Sequence, residues 1–344
     1  MELSTTKRNY IPRHPLKLTV WRIIVILILL LFLSGSEFLY GTNKGHQLRR
    51  MTVGTVLSSQ HPQYVKYLSF LLPQSEIKEL YQAMLHPPIK QSSVTPVVTK
   101  DKKESTGKKE SVNVDTINTA NFTAKVMVVP DPTTVHLVGT KYSTKGQPLS
   151  DLIKENNGVA GINGGGFYDP KGNGSGAQPK GIVIINGKVI NSPHGYKVPQ
   201  LVGAILKNGE FITGSYSVNQ LENLGVRDAV SFGPQLIVNG QNQVTSNIDD
   251  AWGWAPRTAI GQAKNGSIVM IITDGRYYWD KTHRGATMSD IVHLFEKYHV
   301  TNAVAMDGGG STTMIKDGVL QLKPATQTSV GMRYLPNAWI VIPH

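Results

Sequence analysis

Apolar positions change their spacing several times along this chain. Residues 23 to 33, IIVILILLLFL, are apolar without a break, and Leu16, Leu18, Val20 and Trp21 extend the run upstream. Within PQSEIKELYQAMLHPP, Ile77, Leu80, Tyr81 and Met84 recur at helical spacing, and prolines close the segment. Residues 90 to 116 are polar, charged and free of aromatics, a composition that predicts a disordered linker. From about residue 117 short apolar runs alternate with turns. AKVMVVP, TVHLVG, GVAGI, SIVMIIT, NAVAM and NAWIVIP read as strands. GIVIINGKVI and GAILKNGEFITG each place Asn-Gly between apolar runs, which predicts two hairpins. PLSDLIKENN reads as a helix. So does TMSDIVHLFEKYH, with Ile291, Leu294, Phe295 and Tyr298 on one face and Thr287 as N-cap. The pattern predicts an α+β chain in three parts. Residues 1–40 form a basic stub and a transmembrane anchor or signal. Residues 41–116 form a stalk with a short helix and the linker. Residues 117–344 form one mixed, sheet-rich domain with flanking helices.

Charge sharpens this division. The formal net charge is +12, from 35 Lys+Arg against 23 Asp+Glu. Residues 1 to 110 hold 16 of the basic and 7 of the acidic residues, so 19 and 16 are left for the remaining 234 positions. The basic excess therefore sits in the leader and linker, which argues against a nucleic-acid groove on the folded domain. Lys7, Arg8, Arg13, Lys17 and Arg22 precede the apolar run and orient it with its N-terminus inside. LSGSEFLY offers no small-residue cleavage site, so the expectation is a single-pass membrane protein with its C-terminal domain outside. Secretion after signal cleavage is the alternative. Cysteine is absent, which excludes disulfides, thiolate zinc sites and cysteine nucleophiles.

Candidate chemistry gathers around two similar segments, GVAGINGGGFYDP and TNAVAMDGGGSTTM. Each runs an apolar strand into Asn or Asp and then three glycines, and each follows a predicted helix. SIVMIIT ends in Asp274-Gly275-Arg276 before the second of those helices. A strand–helix–strand unit in one sheet normally makes a parallel crossover. If the two strands are neighbours, Asp274 and Asp307 share the carboxyl edge, where open α/β sheets bind ligands. No Gly-Lys-Ser/Thr follows either triplet, and a hairpin rather than a helix follows Asp307, so nucleotide loops are excluded. Bare glycine amides still suit an anion or a sugar pressed against the backbone. Arg257 heads a strand and suits a phosphate or carboxylate, with Arg276, Arg284 and Arg333 as weaker candidates. Asp249-Asp250 reads as a pair of solvated acids. No His-x-x-x-His pair or EF-hand loop is present, so the sequence assigns no metal and no cofactor. A supporting divalent cation stays open. Carboxylates, amides, arginines and small hydroxyls suit glycosidic cleavage, and an arginine relieves a phosphate leaving group of the need for protonation.

GINGGGFYDP, VRDAVSFGPQLIVNGQ, PRTAIGQAKNGSIVMIITDGR, RGATMSDIVHLFEKYHVTNAVAMDGGGSTTM and NAWIVI resemble, in that order, the phosphodiester glycosidase family. The similarity covers about residues 120 to 344. It implies hydrolysis of a sugar-1-phosphodiester. By motif, it places the family's Asn-Gly-Gly loop on Asn163, Gly164 and Gly165. Its Pro-Arg-Thr falls on Pro256, Arg257 and Thr258, and its Asp-Gly-Gly-Gly-Ser on Asp307, Gly308, Gly309, Gly310 and Ser311. The family's arginine before the last strand corresponds to Arg333, although MRYLPNAWIV departs from the usual filler. The cysteine-rich additions of the animal enzymes are absent.

The combined expectation is an extracytoplasmic bacterial hydrolase acting on cell-wall or exopolysaccharide glycans that contain sugar-phosphate linkages. Asp307 is the first catalytic carboxylate, Asp274 the second and Asp169 the third. Arg257 and Thr258 hold the phosphate, joined by Asn163, Gly164, Gly165, Gly166, Gly308, Gly309, Gly310, Ser311 and Arg333. Two rivals stand: a polysaccharide-binding module without turnover, and a phosphodiesterase that breaks P–O rather than C–O.

Overall fold

The computed structural model describes residues 16–94, 112–169, 174–277, 282–326, 328 and 330–344, with side chains from residue 20 onward. The chain divides into a unit of residues 1–49 and a unit of residues 50–344. In the first, helix α1 spans Leu16–Gly41, about 39 Å at 1.5 Å per residue. Its segment Val20–Gly41 has a mean hydropathy of 2.4 and is unburied, a length and composition that suit a membrane span or a signal sequence alike. The polar turn after Gly41 does not stop the chain's helicity, because Thr42 caps the next helix, α2 (Asn43–Leu57), at the Gly45 amide over 2.9 Å.

Three antiparallel sheets build the second unit. The largest runs in the order β1 (Asn113–Asn118), β2 (Thr123–Val129), β15 (Ile268–Thr273), β14 (Thr258–Ala263), β16 (Val300–Met306), β12 (Gln235–Val238) and β13 (Gln241–Asn242). A second sheet orders β10 (Phe211–Tyr216), β9 (Gln200–Leu206), β11 (Val226–Ser231), β7 (Val183–Ile185) and β8 (Lys188–Asn191). The third orders β18 (Val319–Leu320), β17 (Met314–Lys316), β4 (Ala160–Asn163), β19 (Asn337–Val341) and β3 (Val135–Gly139). A two-stranded ribbon, β5 (Phe167–Tyr168) with β6 (Gln178–Pro179), lies beside them in sequence. The Asn-Gly hairpins form as the turn residues require: Asn186 and Gly187 take φ of 48° and 74° between β7 and β8.

Alternation along the strands sorts residues between two cores. Ile260, Ile272, Val304 and Met306 face one way and meet Ile162, Trp339, Phe211 and Val230 from the other two sheets. Ala259, Ile271, Ala303 and Ala305 face the other way, against Ile291, Leu294 and Phe295 of α7 (Met288–Glu296). Thr287 and Asp290 close a reciprocal capping box at the start of that helix. α4 (Leu149–Glu155) and α5 (Val218–Asn223) complete the helical cover, together with α6 (Ser246–Trp252).

The second unit begins earlier than the sequence pattern suggests. Residues 41–116 read as a stalk set apart from the domain, yet residues from Arg50 onward belong to the larger unit. Val53, Leu57, Leu72, Ile77 and Leu80 share a buried cluster with Ala251 of α6, and α3 (Gln74–Leu85) packs on that helix. Arg50 Nε donates to Asp250 Oδ2 over 2.9 Å, with both side chains buried. Asp250 is thus no solvated acid, and Asp249 accepts from the Ser289 amide over 2.8 Å. Further along, the Lys90 amide donates to Gln235 Oε1 and the Ser92 amide to the Thr213 carbonyl. Of the expected linker, residues 95–111 lie outside the described residues, and Asn113–Asn118 pairs with β2.

Candidate active site

Strand polarity places the candidate acids. β14 lies between β15 and β16 and runs antiparallel to both, so β15 and β16 point the same way without touching. The helix-linked strands are parallel as the crossover pattern expects, but they are not neighbours. Asp274 follows β15, Asp307 follows β16, and Arg257 precedes β14 on the same edge. Two strand spacings, about 10 Å, separate the two carboxyl-end corners.

The Asn163 corner reaches this edge from the third sheet. Asn163 is fully buried at the end of β4. Its Nδ2 donates to the Asp307 carbonyl over 2.6 Å. Its Oδ1 accepts from Thr258 Oγ1 over 2.8 Å and from the Thr313 amide over 3.1 Å. The Asp307 amide donates to the Gly164 carbonyl, and the Gly309 amide to the Pro256 carbonyl. Asn163, residues 256–258 and the Asp307 loop are therefore knotted together, with Asn163 as a tie between loops.

The glycines serve close approach more than unusual dihedrals. A Cβ on Gly164 would stand 2.2 Å from Asn337 Oδ1, which accepts from the Gly165 amide over 2.8 Å. Gly166 faces the ring of Phe232. In the second loop Gly309 has φ of 58° within a 3-10 turn, and a Cβ there would stand 3.4 Å from Arg276 Nη2. A Cβ on Gly308 would stand 2.8 Å from the Pro256 carbonyl, and one on Gly310 would stand 3.2 Å from Arg333 Nε. Two guanidinium groups thus lie against consecutive glycines of one loop.

Asp307 is the charged centre of that loop. Burial pushes its carboxyl above the ordinary range, opposed by a Ser311 hydrogen bond, by Arg333 and Lys180, and by the Gly308 amide. Arg333 Nη1 donates to Ser311 Oγ over 3.4 Å, and Nη2 lies 3.7 Å from Asp169 Oδ2. The Arg333 guanidinium also sits 5.7 Å over the Phe167 ring. Burial lowers the Arg333 pKa, while Asp307 and Asp169 oppose the shift. Asp169 accepts from the Gly174 amide over 2.9 Å. Arg276, with φ of 52°, donates from Nη1 to the Thr55 carbonyl over 3.4 Å, and burial takes its pKa down to about 10.

Arg257 points elsewhere. Successive strand residues face opposite sides. Thr258 turns toward Asn163, so Arg257 turns toward α6 and α7. Its guanidinium donates to the carbonyls of Trp252, Gly253 and Ala286 over 2.7, 2.6 and 3.2 Å. Burial, then Arg276, brings its pKa down to about 9. Asp274 is also engaged: Oδ1 accepts from the Thr123 amide over 2.7 Å, and Oδ2 lies 2.9 Å from His283 Nδ1. Asp307, Ser311, Arg333 and Asp169 form one group, with Arg276 at its glycine loop. Asp274 and the Arg257 side chain stand apart from it. Lys180 and Asn337 are additions that no local spacing signals. Among the described residues no three His, Asp or Glu side chains stand close enough to share a metal ion.

A family model of phosphodiester glycosidases matches residues 156–342. The mouse N-acetylglucosamine-1-phosphodiester α-N-acetylglucosaminidase is 26% identical over 173 residues, covering 46% of this chain and 32% of the relative. An uncharacterized prophage-derived protein of Bacillus subtilis, YomE, is 32% identical over 100 residues, 27% of this chain and 14% of that protein. The matches span about a third or less of these relatives. Among solved structures, the catalytic domain of the zebrafish N-acetylglucosamine-1-phosphodiester α-N-acetylglucosaminidase, auto-inhibited by its pro-peptide, superposes with a TM-score of 0.58 at 18% identity. That match covers 75% of this chain and 88% of that domain, and it shows a shared fold. With more than half of its length matched by the family model, this chain belongs to the phosphodiester glycosidase family.

Proposed function

We propose that this chain hydrolyses sugar-1-phosphodiester bonds in extracytoplasmic glycopolymers, with Asp307 as the catalytic carboxylate. The observation that carries the reading is the pairing of a burial-raised carboxyl with two guanidinium groups on one glycine loop. A raised pKa makes the ionised carboxylate a stronger proton acceptor. Asp307 takes a proton from water as the water oxygen attacks the anomeric carbon. The C–O bond to the phosphate breaks, and the phosphomonoester leaves with the electron pair. Arg333 and Arg276 flank the loop where that charge develops, a task suited to their planar donor forks. The Ser311 hydroxyl, bonded to Asp307 and to Arg333, ties the carboxylate to one of those guanidinium groups. Asp169 steadies Arg333 rather than handling protons. Arg257, committed to three carbonyls, shapes the corner instead of binding phosphate. Asn163, Thr258 and the first glycine triplet hold Asp307 in place.

The apolar α1 and the basic residues before it support tethering to a membrane with the larger unit outside. Substrates there are sugar-phosphate polymers of the cell surface. Product analysis on a panel of such polymers tests the reading. Release of free sugar together with a phosphomonoester end, abolished in Asp307→Asn, is the expected result. Normal glycan binding without turnover would identify a binding module instead.

A further inference from the structure

The Asp274–His283 pair is a second polar construction on the site's edge, and the reaction as described does not use it. Asp274 is buried, and both of its carboxylate oxygens are occupied. Oδ1 accepts from the Thr123 amide over 2.7 Å, while Oδ2 lies 2.9 Å from His283 Nδ1. The His283 side chain keeps about a quarter of its surface open to solvent. The backbone is bent to achieve this. Gly275 and Gly285 take φ of 138° and 103°, and a Cβ on Gly275 would stand 2.3 Å from Gly285 Cα. Arg276 adopts φ of 52°, and its amide donates to the His283 carbonyl over 2.9 Å. Non-glycine residues at such angles are strained, and strain of this kind gathers at functional sites.

We infer that His283 is the second proton-handling residue of the reaction and that Asp274 is its positioning residue. The inference rests on the glycosidase reading above. With the proton on Nδ1 and donated to Asp274, Nε2 is the nitrogen left to exchange protons. Arg276 connects the pair to the site: its amide binds His283, and its Nη2 reaches toward Gly309. In the reaction, the proton from water goes to Asp307, and the proton on His283 Nε2 goes to the departing phosphate oxygen. Asp307 then releases its proton to solvent and the imidazole regains one, so the cycle closes with no other reagent. Among the described residues, the charged groups facing or flanking His283 are Asp274, after β15, and Arg276 and Arg284 on its own loop. Arg284 is drawn aside over the Trp254 ring at 5.2 Å.

The test is the pH profile of kcat with a sugar-1-phosphodiester, using the full chain and the variants His283→Gln, His283→Asn and Asp274→Asn. A general acid must be protonated to act, so the wild type should lose activity as pH rises. His283→Gln and His283→Asn should lower kcat about 100-fold and abolish that alkaline limb, leaving KM and the acidic limb in place. In Asp274→Asn the amide faces Nδ1 as a donor and moves the imidazole proton to Nε2. Nitrogen-15 NMR of His283 reads that switch independently of turnover. Thermal unfolding confirms that each variant is folded. An active wild type whose alkaline limb survives in both folded His283 variants would overturn the inference and leave the glycosidase reading standing. A wild type without turnover on any sugar-1-phosphodiester would remove both.

Discussion

Asp307 carries two consequences that separate at the level of one residue. The first is chemical: on the proposed mechanism Asp307→Asn removes the proton acceptor and should cost about 10²–10⁴-fold in kcat. The second concerns stability. Its folded-state carboxyl lies above the ordinary value of 3.8, so the native state binds more protons there than the unfolded chain. Stability from this group therefore falls as pH rises from 3.8 through the raised value. Asp307→Asn removes that slope, and Asp169 still faces Arg333 in the variant. Urea unfolding should find the variant at least as stable as the wild type at neutral pH, with the advantage gone in acid. Arg333→Lys keeps the charge but loses the planar fork that meets Ser311 and Asp169. The loss of charge-assisted hydrogen bonds of about 1.5–3 kcal/mol should lower kcat/KM by about 10–100-fold. The close approach at the loop after Asp307 is legible in the sequence, because three glycines at a strand end are costly unless something must come near the backbone. Asn337 and Lys180 were not, since each reaches the site through pairing or a loop that no spacing records. The direction of the Arg257 side chain is not legible, because strand alternation, rather than residue type, decides which side a guanidinium faces.

Single contacts between elements explain how the corners hold together. Asn163 joins β4, β14 and the chain after β16 with one amide. Asn163→Ala would leave Thr258 Oγ1 and the Thr313 amide without these bonds. A buried donor stranded in this way costs about 1–3 kcal/mol. Chemical denaturation should show a loss of roughly 3 kcal/mol, accompanied by reduced turnover because Asp307 loses its tie. The two Asn-Gly hairpins and the α7 cap were legible, as their residues answer local backbone demands. The insertion of β14 between β15 and β16 was not. Crossover rules fix handedness and direction, but they leave open whether β14, the hairpin strand just before β15, fills the gap. α6 has only seven residues and takes its ion pair from Arg50, about 200 positions away, so no local spacing marks it.

At the scale of the whole molecule, the apolar α1 and the helical segment after Arg50 have different duties. Residues 50–94 share a core with α6, and Thr55 also meets Arg276 through its carbonyl. Arg50→Ala breaks a buried ion pair, and such losses cost about 3–5 kcal/mol. The expected result is a marked fall in thermal stability with the sheets otherwise intact. Removing α1 alone should release the protein from membranes in fractionation without lowering its unfolding temperature. The unbroken apolar run makes α1 legible, whereas the docking of residues 50–94 depends on contacts far apart in sequence.

Hydrolysis in oxygen-18 water tests the central claim most directly, because it reports which bond the site breaks. Water attack at the anomeric carbon places the heavy oxygen in the released sugar, with none in the phosphomonoester. Heavy oxygen in the phosphate would show attack at phosphorus and contradict the assignment of Asp307 to glycosidic cleavage.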